Sequence, residues 1–388
     1  MRARKIRILM AVTTAFEPDP RVYKEARSLV RAGYDVTVCS WDRERKFPAR
    51  EILDGISVLR FHQPSQLGSR FRQLPAFLGF YRFVWRNLRS GGYQVLHCHD
   101  LDTMPVGIAA RAKGMPVIFD AHEPQYYAAY GAPWPALFKG LERISARFAN
   151  WVLVTNALQF KKYRHWGFPR VSEIRNVPPA EFAGFRKSRG EANGALTVGR
   201  IGFIKRGVGV EELFDALASV RAEGYNVRGL LVGKIHPDIR DAFGLLLKDA
   251  SYVQYAGEVR YNEVPGWYGK MDLAVALYTR IEEHRFITPT KVLEALASGV
   301  PVLANAVGDV EELAARYGGI VVLKERTSEA LAQAIRELVE SPAKLTALRN
   351  ATKQASRELI WENMETRLLR VYSELLGATQ FGKSPLDS

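Results

Sequence analysis

Cysteine is nearly absent from this sequence, since Cys39 and Cys98 are the only two among 388 residues. Both lie in strand-like apolar runs, VTVCSW and VLHCHD, and their spacing fits neither a disulfide framework nor a zinc site. Long apolar runs are also missing: no stretch approaches the roughly 20 residues that span a bilayer. The basic start MRARKIRILMAV lacks a small-residue cleavage site and predicts a buried strand rather than a signal peptide. We therefore expect a cytoplasmic protein with two reduced, buried thiols.

Acidic residues are scarce in the first half of the chain only. Residues 1–179 contain 28 Lys and Arg against 14 Asp and Glu, whereas the remaining residues contain 27 of each kind. The whole net charge of +14 therefore lies in the first half. A field of one sign indicates an anionic partner, such as lipid headgroups, nucleic acid or an acidic substrate.

What the sequence does contain is a regular alternation of strand-like and helix-like segments, which is typical of parallel sheets built from βαβ units. The segment RNVPP, residues 175–179, interrupts the alternation, and ALTVGRI restarts it. We therefore predict two Rossmann-like α/β domains, residues 1–178 and 179–356. A last helix, about 357–376, is expected to pack on the first domain, and the tail 377–388 to be disordered.

Two predicted strands of the first domain end in polar residues. VLHCHD ends in His97, His99 and Asp100, and PVIFDAHE ends in Asp120, His122 and Glu123. Because ligands bind at the carboxyl ends of strands in open α/β sheets, these residues are site candidates. Histidines with carboxylates could hold a metal. An acceptor pocket in which one histidine acts as a general acid or base explains them better, so we expect no metal.

The second domain offers two candidate anion sites. In VGRIGFIKRG, Gly199 and Gly202 allow a turn, and Arg200 and Lys205 resemble a phosphate clamp. In TPTKVLEALASGVPVLA, Thr288 is the predicted N-cap, Pro289 the first helical residue and Gly299 a left-handed stop. Free amides at the start of this helix would suit an anion: Thr290, Lys291 and Val292. Glu294, one turn further, could accept hydrogen bonds from a ribose diol.

Taken together and in order, these motifs resemble the retaining glycosyltransferases of family 4, which have the GT-B fold of two Rossmann-like domains. The matching segments are DPRVYKEA, HCHD, DAHE, IRNVP, VGRI with a lysine four residues on, the TPTKVLEALASGVPVLA block and WENMETRLLRVYSELL. The resemblance implies metal-independent sugar transfer, without a cofactor, from a UDP- or GDP-sugar to an acceptor with retention at the anomeric carbon. The second domain would bind the donor and the first the acceptor, with transfer in the cleft.

The resemblance also implies roles for single residues. Arg200 and Lys205 would bind the donor diphosphate, together with the amides of residues 290–292, and stabilise the leaving group. Glu294 would bind the ribose hydroxyls. The base pocket would be lined by Gly257 and Val259. The predicted catalytic residues are Arg200, Lys205, Glu294 and His99. His99 would lie near the reacting sugar.

Two positions depart from the family pattern. The first glutamate of the family's paired-glutamate motif falls at Phe286, so its contact with the donor sugar must come from elsewhere, with Glu282, Glu283 and His284 as candidates. The first loop reads TAFEPDPR where the family often has Gly-Gly. We expect Thr14 of this loop to contact the donor. The acceptor or loop candidates are Asp19, Arg21, Asp100, His122 and Glu123.

The stretch SRFRQLPAFLGFYRFVWRNLR predicts a basic amphipathic helix. The predicted apolar face holds Leu74, Phe77, Leu78, Tyr81, Trp85 and Leu88, and the arginines around it are Arg70, Arg72, Arg82, Arg86 and Arg89. Such a helix is typical of a membrane-surface element, although a core-facing helix with solvated arginines has the same pattern. With the one-sided charge, it favours peripheral binding at the inner face of the cell membrane. The acceptor would be a glycan or a lipid-linked molecule of cell-surface polysaccharide or glycolipid synthesis.

Three other functions fit parts of the sequence. A sugar-nucleotide epimerase of the same fold shares the diphosphate site but needs no acceptor. A nucleic-acid-binding protein is suggested only by the basic composition and would need basic and aromatic residues on one surface, so we expect no nucleic-acid partner. A catalytically inactive binding protein is suggested by Phe286.

Overall fold

The computed structural model describes residues 5–17, 19–65, 73–122, 134–183, 194–279 and 286–377. It divides the chain into two compact units. Unit 1 comprises Met1–Arg175 and Met364–Ser388, and unit 2 comprises Asn176–Asn363. The division after Arg175 lies slightly before the boundary that the sequence predicts.

Unit 1 contains a sheet of eight strands in the order β3-β4-β2-β1-β5-β6-β7-β8. The strands are β1 Arg7–Ala11, β2 Asp35–Trp41, β3 Arg50–Leu53, β4 Ile56–Phe61, β5 Val95–His99, β6 Val117–Ala121, β7 Trp151–Val154 and β8 Val171–Glu173. All described neighbours pair in parallel except the hairpin of β3 and β4. The helices are α1 Pro20–Arg31, α2 Leu74–Gly91, α3 Met104–Ala112, α4 Trp134–Ala146 and α5 Ala157–His165.

Unit 2 contains a parallel sheet of six strands in the order β11-β10-β9-β12-β13-β14. The strands are β9 Leu196–Ile201, β10 Val227–Val232, β11 Val253–Tyr255, β12 Leu273–Ala276, β13 Val302–Asn305 and β14 Ile320–Leu323. Its helices are α6 Val210–Ala222, α7 Arg240–Asp249, α8 Val264–Tyr268, α9 Thr290–Ala297, α10 Val310–Tyr317, α11 Ser328–Glu340 and α12 Pro342–Glu358. Two Rossmann-like parallel sheets confirm the predicted α/β class.

The last helix, α13, covers Trp361–Leu376, and its residues from Met364 onward belong to unit 1. The sequence places this helix at about 357–376, whereas residues 357 and 358 are the end of α12 and a two-residue bend precedes Trp361. Within unit 1, the Tyr372 hydroxyl lies 2.8 Å from Nδ1 of the buried His97. The described residues contain no helix with the length and apolarity needed to cross a membrane.

Alternation along β5 sorts its side chains between the two sides of the unit 1 sheet, because successive strand residues point to opposite faces. Leu96 and Cys98 join an apolar core cluster with Phe80, Val84 and other residues of α2. His97 and His99 are also fully buried, outside that cluster. Both cysteines are buried free thiols, as predicted.

Helix α2 turns a different face to the core than the sequence predicts. Ala76, Phe80, Val84 and Leu88 are its buried residues. The predicted apolar face was therefore wrong by part of a turn, because Leu74 and Leu78 are exposed and Phe77, Tyr81 and Trp85 only half-buried. Leu88 alone of the predicted face is fully buried. Arg70 and Arg72 lie outside the described residues.

Helix α9 begins one residue later than predicted. Pro289 occupies the N-cap position with ψ 108, which is extended rather than helical, and no side chain caps the helix. Thr288 is therefore not the N-cap, and its buried Oγ1 has no hydrogen-bond partner in the described part of the chain. The helix ends as expected, with Gly299 left-handed at φ 75.

Candidate active site

Asp120 is the centre of a buried charge network in unit 1. It lies on β6 directly opposite His99 of β5. Arg21, in the first turn of α1, reaches it with two bonds, Nε to Oδ2 at 2.9 Å and Nη2 to Oδ1 at 2.7 Å. The third guanidinium nitrogen, Nη1, donates to the Ile174 carbonyl at 2.7 Å. Burial alone would raise the pKa of Asp120, but Arg21 and His122 hold it well below its usual range.

Two histidines lie beside this carboxylate. Nδ1 of His99 and Nδ1 of His122 each lie 3.2 Å from Asp120 Oδ2. His122 also faces Asp100, with Nε2 3.2 Å from Oδ2. Burial would lower the pKa of His122, but Asp100 and Asp120 outweigh it and raise the pKa to about 10. His99 differs, because burial lowers its pKa. At neutral pH the network thus holds a charged His122 beside a neutral His99.

His97 and Glu25 complete the network. The His97 and His99 rings stack with centroids 4.4 Å apart. Glu25, on α1, lies with Oε2 3.8 Å from His97 Nε2 and Oε1 3.1 Å from Arg21 Nη2. Burial, followed by repulsion from Asp120, raises the pKa of Glu25 to about 8. A buried acid that stays protonated at neutral pH is a proton donor rather than a charge.

Glu25, His97, His99 and Asp120 offer ligand atoms that all lie within 4.8 Å of one another. This is the one arrangement in unit 1 that would suit a metal ion among the residues described. Asp120 already pairs through both oxygens with Arg21, and that guanidinium would repel a cation. The donor set therefore fits a hydrogen-bonded polar site better than a metal centre.

The loop candidates of unit 1 have structural partners. Asp19 caps α1 by accepting from the Val22 amide at 3.3 Å, and it also accepts from Thr14 Oγ1 at 2.9 Å. Thr14 itself is exposed. The structure thus brings Arg21, Asp100, Asp120 and His122 together, and it leaves Thr14 and Asp19 at the rim. Glu123 lies outside the described residues, as do Glu282, Glu283 and His284.

In unit 2, three glycines meet where β9, β10 and β11 end. Gly202 donates to the Val232 carbonyl at 2.9 Å, and Gly233 donates to the Gly257 carbonyl at 2.8 Å. A Cβ on Gly233, whose φ is 138, would lie 2.0 Å from the Gly202 carbonyl oxygen. Only glycine fits this position, so the backbone of three strand ends forms one close-packed edge. Gly257 belongs to this edge, and Val259 follows it as a half-buried residue.

Arg200 lies beside this edge, on β9, and is almost fully buried. Nη1 makes a long 3.5 Å contact with the Val275 carbonyl, and the guanidinium also interacts with the Tyr278 phenol, whereas Nε has no hydrogen-bond partner among the described residues. Burial lowers the pKa of Arg200, partly offset by the Tyr278 and Tyr268 phenols. An arginine still carries its charge there, because its usual pKa is above 12. Lys205, by contrast, is exposed in the loop after β9.

The start of α9 is partly occupied by the protein itself. The Val292 amide donates to the Pro289 carbonyl at 2.9 Å, so the predicted anion site loses that amide. Lys291 Nζ folds back onto Glu294, 2.9 Å from Oε1 and 2.8 Å from Oε2. Tyr268 donates to Glu294 Oε2 at 3.3 Å. Glu294 is thus buried and held in place rather than open on both sides. Phe286 is half-buried just before the helix.

Several side chains at the ends of β12, β13 and β14 were missed by the sequence reasoning. Asn305 holds the backbone that follows β12. Its side chain accepts from the Tyr278 amide and donates to the Tyr278 carbonyl, both at 2.9 Å. Arg326 donates to Thr279 Oγ1 at 3.1 Å and pairs with Glu212. The strand-end rule, applied to LAVALYT and VLAN, predicts Tyr278, Thr279 and Asn305 as site candidates, whereas Arg326 lies beyond these segments, after β14.

In a comparison with known families, each half of the chain matches a different family description. A sequence family described as Glycosyltransferase Family 4 matches residues 21–180, and one described as Glycosyl transferases group 1 matches residues 192–341. Together they cover most of both units and the strand ends described above, apart from the loop after β1. The chain belongs to the family 4 glycosyltransferases. The family that the sequence resembles is thereby confirmed.

Relatives of this glycosyltransferase match it over most of their length. D-inositol 3-phosphate glycosyltransferase 1 of Catenulispora acidiphila is 27% identical over 90% of this chain and 89% of its own. The GDP-mannose-dependent alpha-mannosyltransferase of Mycobacterium tuberculosis is 26% identical over 75% and 76%.

Solved structures support the fold of this glycosyltransferase at low sequence identity. Sucrose-phosphate synthase from Thermosynechococcus elongatus has a TM-score of 0.71 at 18% identity, over 96% of this chain and all of that one. HepE of Anabaena, solved in complex with UDP and glucose, has a TM-score of 0.66 at 18% identity, over 95% and 99%. These neighbours confirm the predicted GT-B fold.

Proposed function

We propose that this glycosyltransferase is a retaining, metal-independent enzyme that moves a sugar from a nucleotide-diphosphate sugar to a glycan or lipid-linked acceptor. The observation that carries the proposal is Arg200, a buried cation at a strand end whose Nε is unpartnered in the described part of the chain. A buried guanidinium needs an anion to offset its desolvation. The diphosphate of the donor supplies this negative charge, and it becomes more negative as its bond to the sugar breaks.

The donor would bind along the edge of unit 2. The glycine-lined ends of β9 to β11 allow close approach of a base or phosphate to the backbone, and the exposed Lys205 supplies a second cation. Glu294 would bind the ribose through its remaining lone pairs, since each carboxylate oxygen accepts two hydrogen bonds. The neighbours solved with UDP or with UDP and glucose support a nucleotide sugar as donor.

The acceptor would bind in unit 1, where the neutral His99 has a buried Nε2 without a hydrogen-bond partner among the described residues. Asp120 Oδ2 lies 3.2 Å from the other ring nitrogen, Nδ1. A ring oriented in this way can accept from or donate to a sugar hydroxyl. The acceptor oxygen would replace the diphosphate oxygen at the anomeric carbon. Synthesis of a cell-surface polysaccharide or glycolipid at the cytoplasmic face of the membrane would use such an acceptor.

A panel of UDP-, GDP- and other nucleotide sugars in a thermal-shift assay tests the donor part. One donor should raise the melting temperature of the wild type, because a ligand that binds only the folded state stabilises it. Arg200→Met should fold, since an apolar replacement of a buried arginine keeps the volume, and it should lose the shift. A panel without any shift, or an equal shift in the variant, would contradict the proposal. Conversion of one nucleotide sugar into another would indicate an epimerase instead.

A further inference from the structure

Helix α4 has its apolar side chains on the outside. Leu137, Leu141 and Ile144 are 50%, 43% and 53% exposed, and Phe148 in the following turn is 38% exposed. At about 100° per residue, these four positions lie on one stripe of the helix. Exposed leucines are common singly, but four large apolar side chains in line mark an interaction surface. We call these four residues the α4 stripe.

The buried side of α4 carries small and polar residues, and their contacts fix the rotation of the helix. Glu142, Ser145 and Ala146 are its buried residues. The Glu142 carboxylate accepts from Tyr163 Oη at 2.5 Å and from Lys162 Nζ at 2.8 Å, both on α5. Turning the stripe inward would break these charge-assisted bonds. The helix is therefore held with its apolar stripe facing solvent.

Cations lie on one flank of the α4 stripe, on the side of the helix away from the buried Glu142. Lys139, Arg143 and Arg147 are exposed along the same helix and the turn after it. Helix α3 contacts both α4 and α2, so the exposed residues of α2 belong to the same side of the unit 1 sheet. Its large exposed side chains are Leu74, Leu78, Arg82, Arg86 and Arg89. No acidic side chain of α2 offsets these charges, since LPAFLGFYRFVWRNLRSG contains none.

We propose that the α4 stripe and the cations beside it are a membrane-docking surface that inserts into an anionic lipid surface. Apolar side chains enter the headgroup–acyl boundary, and arginines and lysines at the rim pair with lipid phosphates. A second copy of this chain suits the surface poorly. In a two-fold dimer the patch would face itself, so Lys139, Arg143 and Arg147 would meet their own copies. The proposal extends the peripheral location of the proposed enzyme and gives it a specific surface.

Vesicle sedimentation of the full chain tests the charge and the stripe separately. Wild type should sediment with vesicles of phosphatidylglycerol and phosphatidylcholine at low salt, less at high salt, and not with phosphatidylcholine alone. Leu141→Ser with Ile144→Ser should weaken this binding at least about tenfold, from the lost apolar burial. The matched control is Leu245→Ser, a 62% exposed leucine on α7 of unit 2, which should bind as wild type. Arg143→Gln with Arg147→Gln should also weaken binding, unlike Arg240→Gln on α7.

A fluorescent label tests insertion directly. The native thiols are buried, and burial raises the pKa of both Cys39 and Cys98 to about 12, so an introduced exposed thiol reacts selectively. An environment-sensitive dye on Ile144→Cys should shift to the blue on anionic vesicles, whereas the dye on Leu245→Cys should not. Absence of vesicle binding at low salt overturns the proposal. Binding that the stripe variant retains, or an unshifted dye at residue 144, does the same.

Self-association is checked on the same variants. A sedimentation-velocity shift with concentration that the stripe variant abolishes, with vesicle binding unchanged, would assign the stripe to a second copy and overturn the proposal. Donor binding in the thermal-shift panel should be unaffected by the stripe variants. Failure of docking and failure of the proposed transferase activity are therefore distinguishable.

Discussion

Arg21 and Asp120 form a two-point ion pair inside unit 1, although 99 positions separate them along the chain. Asp120 in turn lies 3.2 Å from both His99 and His122. The Asp120 carboxylate thus connects the start of α1 with the carboxyl ends of β5 and β6. The network sets the charges around the candidate acceptor site before any ligand binds.

Breaking the Arg21–Asp120 pair should cost much stability. Asp120→Asn leaves a buried guanidinium without its counter-charge, which typically costs about 3–5 kcal/mol. Urea denaturation at neutral pH measures the free energy of unfolding. The control is Glu263→Gln, which removes an exposed pair with Arg260 and should change little. Equal, small changes in both variants would show that the buried network adds nothing to stability.

His122 should make stability fall as pH rises. Its pKa is raised from 6.5 to about 10 in the folded protein, so the folded state binds the proton more tightly. The stabilisation is full below pH 6.5 and is lost as the pH approaches 10. His122→Gln lacks this contribution. Its unfolding free energy should therefore approach that of the wild type as the pH rises across this window. A constant difference between the two proteins would contradict the charged state of His122.

Lys205 should matter for the donor and not for the fold. Lys205→Ala removes an exposed cation from the loop after β9, so the melting temperature of the free protein should stay unchanged. Affinity for a nucleoside diphosphate, measured by titration calorimetry, should fall about tenfold, the worth of one charge-assisted contact. Arg206→Ala removes the neighbouring exposed cation and is the matched control. Equal losses of affinity in both variants would mean that Lys205 contributes only to the overall positive charge of the loop and makes no specific contact with the diphosphate.

Glu294 should recognise the ribose. Wild type should bind a nucleoside diphosphate about ten- to hundredfold more tightly than its 2′,3′-dideoxy analogue, because a hydrogen bond to a charged group contributes roughly 1.5–3 kcal/mol. In Glu294→Gln this preference should shrink, because the amide is uncharged. Lys291 can turn to solvent, so stability should change little. An undiminished preference for the full ribose in the variant would contradict the assignment.

Gly233 should tolerate no side chain. Gly233→Ala places a Cβ 2.0 Å from the Gly202 carbonyl oxygen and forces the edge of unit 2 apart. Gly224→Ala is the control, since its φ is 92 but nothing lies within 4 Å of the added atom. The control should cost about 1–2 kcal/mol from backbone strain alone. Gly233→Ala should cost clearly more and also weaken nucleotide binding. Equal costs would mean that the strand ends are not tightly packed.

More of the fold than of the candidate site could be predicted from the sequence. Strand–helix alternation predicted both parallel sheets, because a βαβ chain has few other ways to bury its apolar runs. The β3–β4 hairpin was missed, although Asp54-Gly55 is a typical hairpin turn and both residues have positive φ. The face of α2 was misplaced because apolar residues occur almost all round that helix, so periodicity alone does not choose between Leu78 and Phe80.

At the site, residue types were easier to predict than their partners. The strand-end rule found His99, Asp120 and His122, because it depends on topology alone. It could not show that Arg21 pairs with Asp120, or that Lys291 folds onto Glu294, since those contacts depend on side-chain conformation. The prediction of a free Val292 amide was also wrong. Helix α9 begins at Thr290, and the Val292 amide donates to the Pro289 carbonyl in its first turn.

Donor turnover without an acceptor reports directly on retaining sugar transfer by this chain. Wild type is incubated with each nucleotide sugar of the panel without an acceptor, and the products are followed by NMR. We predict that the wild type slowly hydrolyses one donor to a nucleoside diphosphate and a sugar whose first-formed anomer keeps the donor's configuration. Arg200→Met should not release these products. An inverted anomer, interconversion of nucleotide sugars, or equal release by Arg200→Met would contradict these predictions.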